Sequence, residues 1–88
     1  MRYRVIWDPD AFHGLLRAWN AANQPEAGLR AFDEIERILS IDADNQGESR
    51  EGEQRVLIVS PIGVTFRARP EIGEVLILDA WMISKRSK

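Results

Sequence analysis

Gln54-Arg55-Val56-Leu57-Ile58-Val59-Ser60 is followed by Pro61-Ile62-Gly63, then Val64-Thr65-Phe66-Arg67-Ala68-Arg69. After Pro70-Glu71-Ile72-Gly73 comes Glu74-Val75-Leu76-Ile77-Leu78-Asp79-Ala80-Trp81-Met82-Ile83. Three β-rich runs separated by two Pro-and-Gly turns predict an antiparallel meander. Val56 to Val59 and Leu76 to Leu78 are unbroken apolar runs, the pattern of strands covered on both faces. The middle run alternates instead, with Val64, Phe66 and Ala68 on one side and Thr65, Arg67 and Arg69 on the other. On the last strand a strict period of two places Val75, Ile77, Asp79 and Trp81 on one face. If helices cover only the opposite face, this one is an exposed apolar patch suited to a partner.

The rest of the chain supplies what covers that sheet. Tyr3, Val5 and Trp7 alternate with Arg2 and Arg4, which predicts a strand with one buried face. Asp8 and Pro9 read as the N-cap and first residue of a helix. Its apolar stripe is Phe12, Leu15, Leu16 and Trp19. Pro25 opens a second helix with a stripe of Gly28, Ala31, Phe32, Ile35, Ile38 and Leu39. Residues 41–53 read as a polar loop. The expected architecture is therefore α+β: the order β-α-α-β-β-β, an antiparallel-rich sheet of about four strands, and a helical hairpin packed on one face.

At 88 residues the chain makes one domain, spanning 1–88, which buries roughly 60–65 % of its unfolded surface. It is 44 % hydrophobic and 30 % charged, the balance of a folded globular protein. There are no cysteines, which excludes disulfides and thiolate metal sites. The N-terminus is charged and meets Pro9 too early for a signal peptide, and no apolar run has the length of a membrane span. A cytoplasmic protein is the expectation. The net charge of −2 is unevenly spread: residues 1–53 carry six basic and eleven acidic side chains (−5), residues 54–88 six basic and three acidic (+3).

Candidate chemistry is sparse. His13, the only histidine, has no nucleophile or acid at a recognisable spacing and reads as a boundary residue. Asp42, Asp44, Gln46, Gly47 and Glu53 fall at positions 1, 3, 5, 6 and 12 of a calcium-loop pattern. The chain leaves this loop into a strand rather than a helix, so neither a metal site nor a cofactor is expected. The arginines are the stronger signal. Arg55, Arg67 and Arg69 can converge with Lys85 and Arg86 on one basic surface for RNA or phosphate, because guanidinium forks match phosphate oxygens. The competing reading makes Arg67 and Arg69 solvent-facing strand residues that discourage edge pairing.

The element order, the opening Tyr3-Arg4-Val5-Ile6-Trp7, the run Arg55-Val56-Leu57-Ile58-Val59-Ser60-Pro61 with Val64-Thr65-Phe66, and the closing Val75-Leu76-Ile77-Leu78-Asp79-Ala80-Trp81 resemble the RelE/ParE superfamily of bacterial toxins. The resemblance covers nearly the whole chain and lies in hydrophobic signatures, not in a catalytic motif. It implies a plasmid-stabilisation-like toxin of a type II toxin–antitoxin system, neutralised by a cognate antitoxin protein. RelE-like members cut mRNA on the ribosome with basic residues, and ParE-like members inhibit DNA gyrase without them. Carried over residue by residue, Arg55 matches a basic position at the start of its strand, and Lys85-Arg86 resembles the pair after the last strand. Arg55 and Arg86 are thus the catalytic candidates. Leu57 and Gly63 stand where cutting members hold charge, and a catalytic tyrosine has no counterpart up to Lys88. The resemblance therefore implies protein binding first, a ribosome-dependent endoribonuclease second, and an inactive member that folds and forms a homodimer third.

Overall fold

The structure, a computed structural model, describes residues 2–22 and 24–83. The chain runs β1 (Arg4–Trp7), α1 (Pro9–Ala22), α2 (Pro25–Asp42), β2 (Glu48–Ser49), β3 (Arg55–Val59), β4 (Ile62–Arg69) and β5 (Glu74–Met82). The strands form one sheet in the order β1-β5-β4-β3-β2. The α+β class and the meander β3-β4-β5 match the expectation, but two details differ.

First, the sheet is mixed, because β1 lies parallel to β5 with Val5 opposite Val75 and Trp7 opposite Ile77. Parallel neighbours need a long connection, and everything from α1 to β4 supplies it. Second, there is a fifth strand, β2, inside the segment read as a loop. Glu48 pairs with Val56 and Ser49 with Arg55. Both β2 residues are exposed, so no apolar alternation could mark them as a strand.

The helices begin as their sequence predicts. Asp8 Oδ2 accepts the backbone N–H groups of Asp10 at 3.1 Å and Ala11 at 3.2 Å, satisfying donors that the first turn leaves without partners. In α1 the buried positions are Ala11 and Leu15, while Leu16, expected in the stripe, is 38 % exposed. In α2, Gly28, Ala31, Ile35 and Leu39 are buried at helical spacing. Gly28 has a packing reason: a Cβ there would stand 2.6 Å from the Trp19 indole, so only glycine lets the ring lie against the helix. Trp7 stacks on Phe32 with centroids 5.2 Å apart and donates its indole N–H to Glu36 at 2.8 Å.

Both helices pack on one face of the sheet. The core joins Leu15, Ala31, Ile35 and Leu39 to Tyr3, Ile62, Val64, Phe66, Val75, Ile77 and Ala80. The strict alternation expected along β5 is broken. Thr65 pairs with Asp79 but Phe66 pairs with Ile77, so Leu78 has no partner on β4. This bulge turns the strand over halfway. Val75 and Ile77 are fully buried in the core, whereas Asp79 is exposed and Trp81 pairs with Gly63 on the opposite face. The expectation that Asp79 and Trp81 share a face with Val75 and Ile77 is therefore corrected.

The unbroken apolar runs are corrected too. Among the described residues no element covers the sheet's second face. Ile58 is 55 % exposed there, and Ile6, Val56, Leu76 and Trp81 are half-buried. The run of apolar residues reflects a helix-covered face alternating with an open apolar one.

Candidate functional site

Two features of the sheet are candidates: one follows from the uneven lengths of its strands, the other from both helices packing on one face. β4 runs on to Arg69, but β3 begins at Arg55, opposite Phe66. Beyond that step Arg67, Ala68 and Arg69 have no strand on the β3 side, and a groove of about 470 Å³ opens there. Arg55, Arg67 and Arg69 all line it, together with Asp44, Glu53 and Glu71. The three sheet arginines singled out in the sequence thus do meet around one space. Lys85 and Arg86, the other members of the expected basic surface, lie outside the described residues.

Each of these arginines already has a partner. Arg55 donates through Nε to the Gln46 carbonyl at 2.5 Å, through one terminal nitrogen to Ser49 Oγ at 3.0 Å, and through the other to the Gly47 carbonyl at 3.2 Å. It clamps the turn that leads into β2. Arg67 reaches Glu53 Oε1 at 3.4 Å, and Arg69 reaches Glu71 at 3.6 Å. Both of these pairs are solvent-exposed and long, and such pairs contribute about 0–1 kcal/mol. The groove is close to neutral, with three guanidinium groups against three carboxylates.

The carboxylates Glu53, Glu71 and Asp44 are the part that sequence spacing did not flag as partners of the arginines. Glu53 and Arg67 are fourteen positions apart, and only the sheet brings them together. Asp44 serves the core: Tyr3, buried at the start of the chain, donates its hydroxyl to Asp44 Oδ1 at 2.8 Å. Burial, then this hydrogen bond, pushes the Tyr3 phenol up to about 12. The same bond holds the Asp44 carboxyl below its ordinary value. Of the remaining calcium-pattern positions, Asp42 accepts from Asn45 at 3.0 Å and Gln46 offers its carbonyl to Arg55. Gly47 takes a φ of +73°, with the Val56 carbonyl 2.4 Å from where a Cβ would be. The acids Asp42, Asp44 and Glu53 are thus turned to different partners, and among the described residues no cluster of acids and histidine is arranged to hold a metal ion. His13 is exposed on α1 beside Phe12.

The second feature is the open sheet face. Cross-strand pairing places Ile58, Gly63 and Trp81 in one row, Val56, Thr65 and Asp79 in the next, and Arg67, Leu76 and Ile6 in a third. Arg69, Glu74 and Arg4 form the last row, where Arg4 and Glu74 are joined at 2.5 Å. The apolar side chains share the face with Thr65 and the exposed Asp79 in its second row, and the arginines gather at one end. Gly63 occupies its row under the Trp81 indole, and a Cβ there would stand 2.5 Å from Cε2.

No protein-family model matches the chain, and a search of curated proteins finds no match. Among the described residues no helix is long and apolar enough to cross a membrane.

Proposed function

We propose that this protein is the toxin-like member of a bacterial type II toxin–antitoxin pair, acts in the cytoplasm through protein binding, and is neutralised by a cognate antitoxin. The observation that carries this reading is the open face of the sheet, with Ile6, Val56, Ile58, Leu76 and Trp81 uncovered by either helix. Contiguous exposed apolar surface marks a partner site. Arg4, Arg67 and Arg69, all at one end of the face, favour a partner segment that is apolar along its length and acidic at the end that meets them. The RelE/ParE resemblance supports the same reading.

The test is co-expression with the product of the adjacent reading frame. Capture of the pair from wild type, and its loss with Ile58→Glu, is the expected result. Ile58 is more than half exposed, so the variant folds and its melting temperature reports that directly. Capture unchanged by Ile58→Glu removes the open face from the proposal. Induced expression without growth arrest points instead to an inactive member that folds and self-associates as a homodimer.

A second reading, a ribosome-dependent mRNA endoribonuclease, is favoured by the meeting of Arg55, Arg67 and Arg69 around one groove. Guanidinium groups stabilise the charge that develops in phosphodiester cleavage. It predicts growth arrest with mRNA cut at ribosome-positioned codons, lost in Arg55→Ala and Arg86→Ala. Arrest with intact mRNA leaves DNA gyrase or another protein as the target.

A further inference from the structure

The acids around the arginine groove are not held alike. Asp44 is committed to the Tyr3 hydroxyl, and Glu71 sits in the turn that follows Arg69. Glu53 reaches in from the opposite side, on the turn before β3, and its backbone is unusual. Its φ is +66°, immediately after Gly52 at +68°, and it is the only non-glycine residue with positive φ among the described residues. Side chains other than glycine adopt this region rarely, because Cβ crowds the following carbonyl. This conformation sets the Glu53 carboxylate against Arg67.

We propose that the groove binds a phosphodiester of single-stranded nucleic acid and that Glu53 closes it by occupying Arg67 in the ligand's place. The groove's volume of about 470 Å³ falls in the range of small-ligand pockets and accommodates a nucleotide-sized group. Arg67 and Arg69 alternate along β4, so both are presented to the same side of the strand at the step. Ala68 and Pro70 also line the groove. Glu53 makes one contact at 3.4 Å, with its side chain 79 % exposed. A phosphate that engages the Arg67 fork with two oxygens outcompetes so loose a partner. Glu53 is thus a tethered competing anion, and the left-handed turn sets its position. The proposal deepens the second reading above, because it concerns the same groove. It is tested by binding and not by cleavage, so a groove that binds without cutting separates the two.

The experiment measures anisotropy of a short labelled single-stranded RNA with the purified chain at low salt, with inorganic phosphate as competitor. Glu53→Gln is expected to tighten binding by up to about fivefold, the fold-change at the top of the range for one exposed ion pair. Arg67→Ala in the same background removes the gain, and inorganic phosphate displaces the RNA. Glu48→Gln is the control: Glu48 is equally exposed but pairs with Arg50 away from the groove, so its loss makes the same change in net charge and frees a guanidinium outside the groove. An equal gain from Glu48→Gln, a gain that survives Arg67→Ala, or no gain from Glu53→Gln each overturns the proposal. An acidic peptide binding as tightly as the RNA overturns the phosphate assignment. Unchanged melting of Glu53→Gln shows that the effect is not structural.

Discussion

The indole of Trp81 lies against Gly63 on the neighbouring strand, so close that a Cβ at position 63 would stand 2.5 Å from Cε2 and 2.6 Å from Cζ2. The two residues are register partners, and the contact covers a gap in the open face that any other residue would fill. A side chain as large as arginine at position 63 requires Trp81 to leave. Gly63→Ala is expected to cost about 1–3 kcal/mol, the range for forcing an added group into packed surroundings. Chemical denaturation with tryptophan emission as the probe checks it. Trp81→Leu, which removes the ring, is expected to make Gly63→Ala nearly neutral.

The bond from Tyr3 to Asp44 ties the first strand to the turn after α2, and its titration has a definite sign. The Tyr3 phenol is raised from its ordinary 10.0 to about 12, so its contribution is complete below pH 10 and fades as pH climbs toward 12. The Asp44 carboxyl is lowered, so its contribution is present above the ordinary carboxylate range and fades as pH falls through the depressed value. Tyr3→Phe is expected to cost about 1 kcal/mol at neutral pH, typical of one internal hydrogen bond. It also flattens the alkaline limb of the stability profile. Melting curves from acid to alkaline pH, compared between wild type and variant, check both.

Arg55 holds the turn at 46–49 through Nε and both terminal nitrogens. Arg55→Ala is expected to speed amide exchange over residues 46–50 by opening that turn, while exchange in the Ile62–Phe66 core strand stays slow. Hydrogen exchange read by mass spectrometry distinguishes this from global unfolding. Loss of any RNA cleavage in this variant therefore has to be read beside its exchange profile, because a structural clamp and a catalytic cation lose function together. Arg55→Lys restores neither fork geometry nor the turn, since a single ammonium cannot span these acceptors.

Phe66 is fully buried at the centre of β4, between Arg55 on β3 and Ile77 on β5. Phe66→Ala is expected to cost about 3–5 kcal/mol. For a small domain with a total of about 5–15 kcal/mol, that is a large share of the margin. Urea unfolding reports it as a large fall in midpoint with an unchanged slope.

Much of this was readable in the residues. Asp8 and Pro9 mark the start of α1 because a capping side chain and a fixed φ act locally. The turn at Pro70-Glu71-Ile72-Gly73 divides the meander for the same reason, whereas the first turn is tighter than its Pro-Ile-Gly reading: it lies at Ser60-Pro61, and Ile62 and Gly63 already belong to β4. The strand at Glu48–Ser49 was not readable, because its signal is a partner, Val56–Arg55, and not a pattern of its own. The face of Trp81 was misassigned because periodicity assumes an unbroken strand, and the bulge at Leu78 inserts one residue that reverses it.

The arginines divide along the same line. That Arg67 and Arg69 share a side of their strand follows from a period of two and is a property of the sequence. That Arg55 joins them around one groove, and that Glu53 stands against Arg67, depends on where β3 begins relative to β4 and on the φ of a single turn residue. By itself the sequence determined the two helices, the first strand, most of the apolar stripes and the meander, because capping, turn chemistry and periodicity act over a few neighbours. Register, the reversal at Leu78, the parallel edge strand and the uncovered sheet face were decided only in the tertiary structure. Each depends on contacts between residues far apart in the chain, where no local spacing records which partner wins.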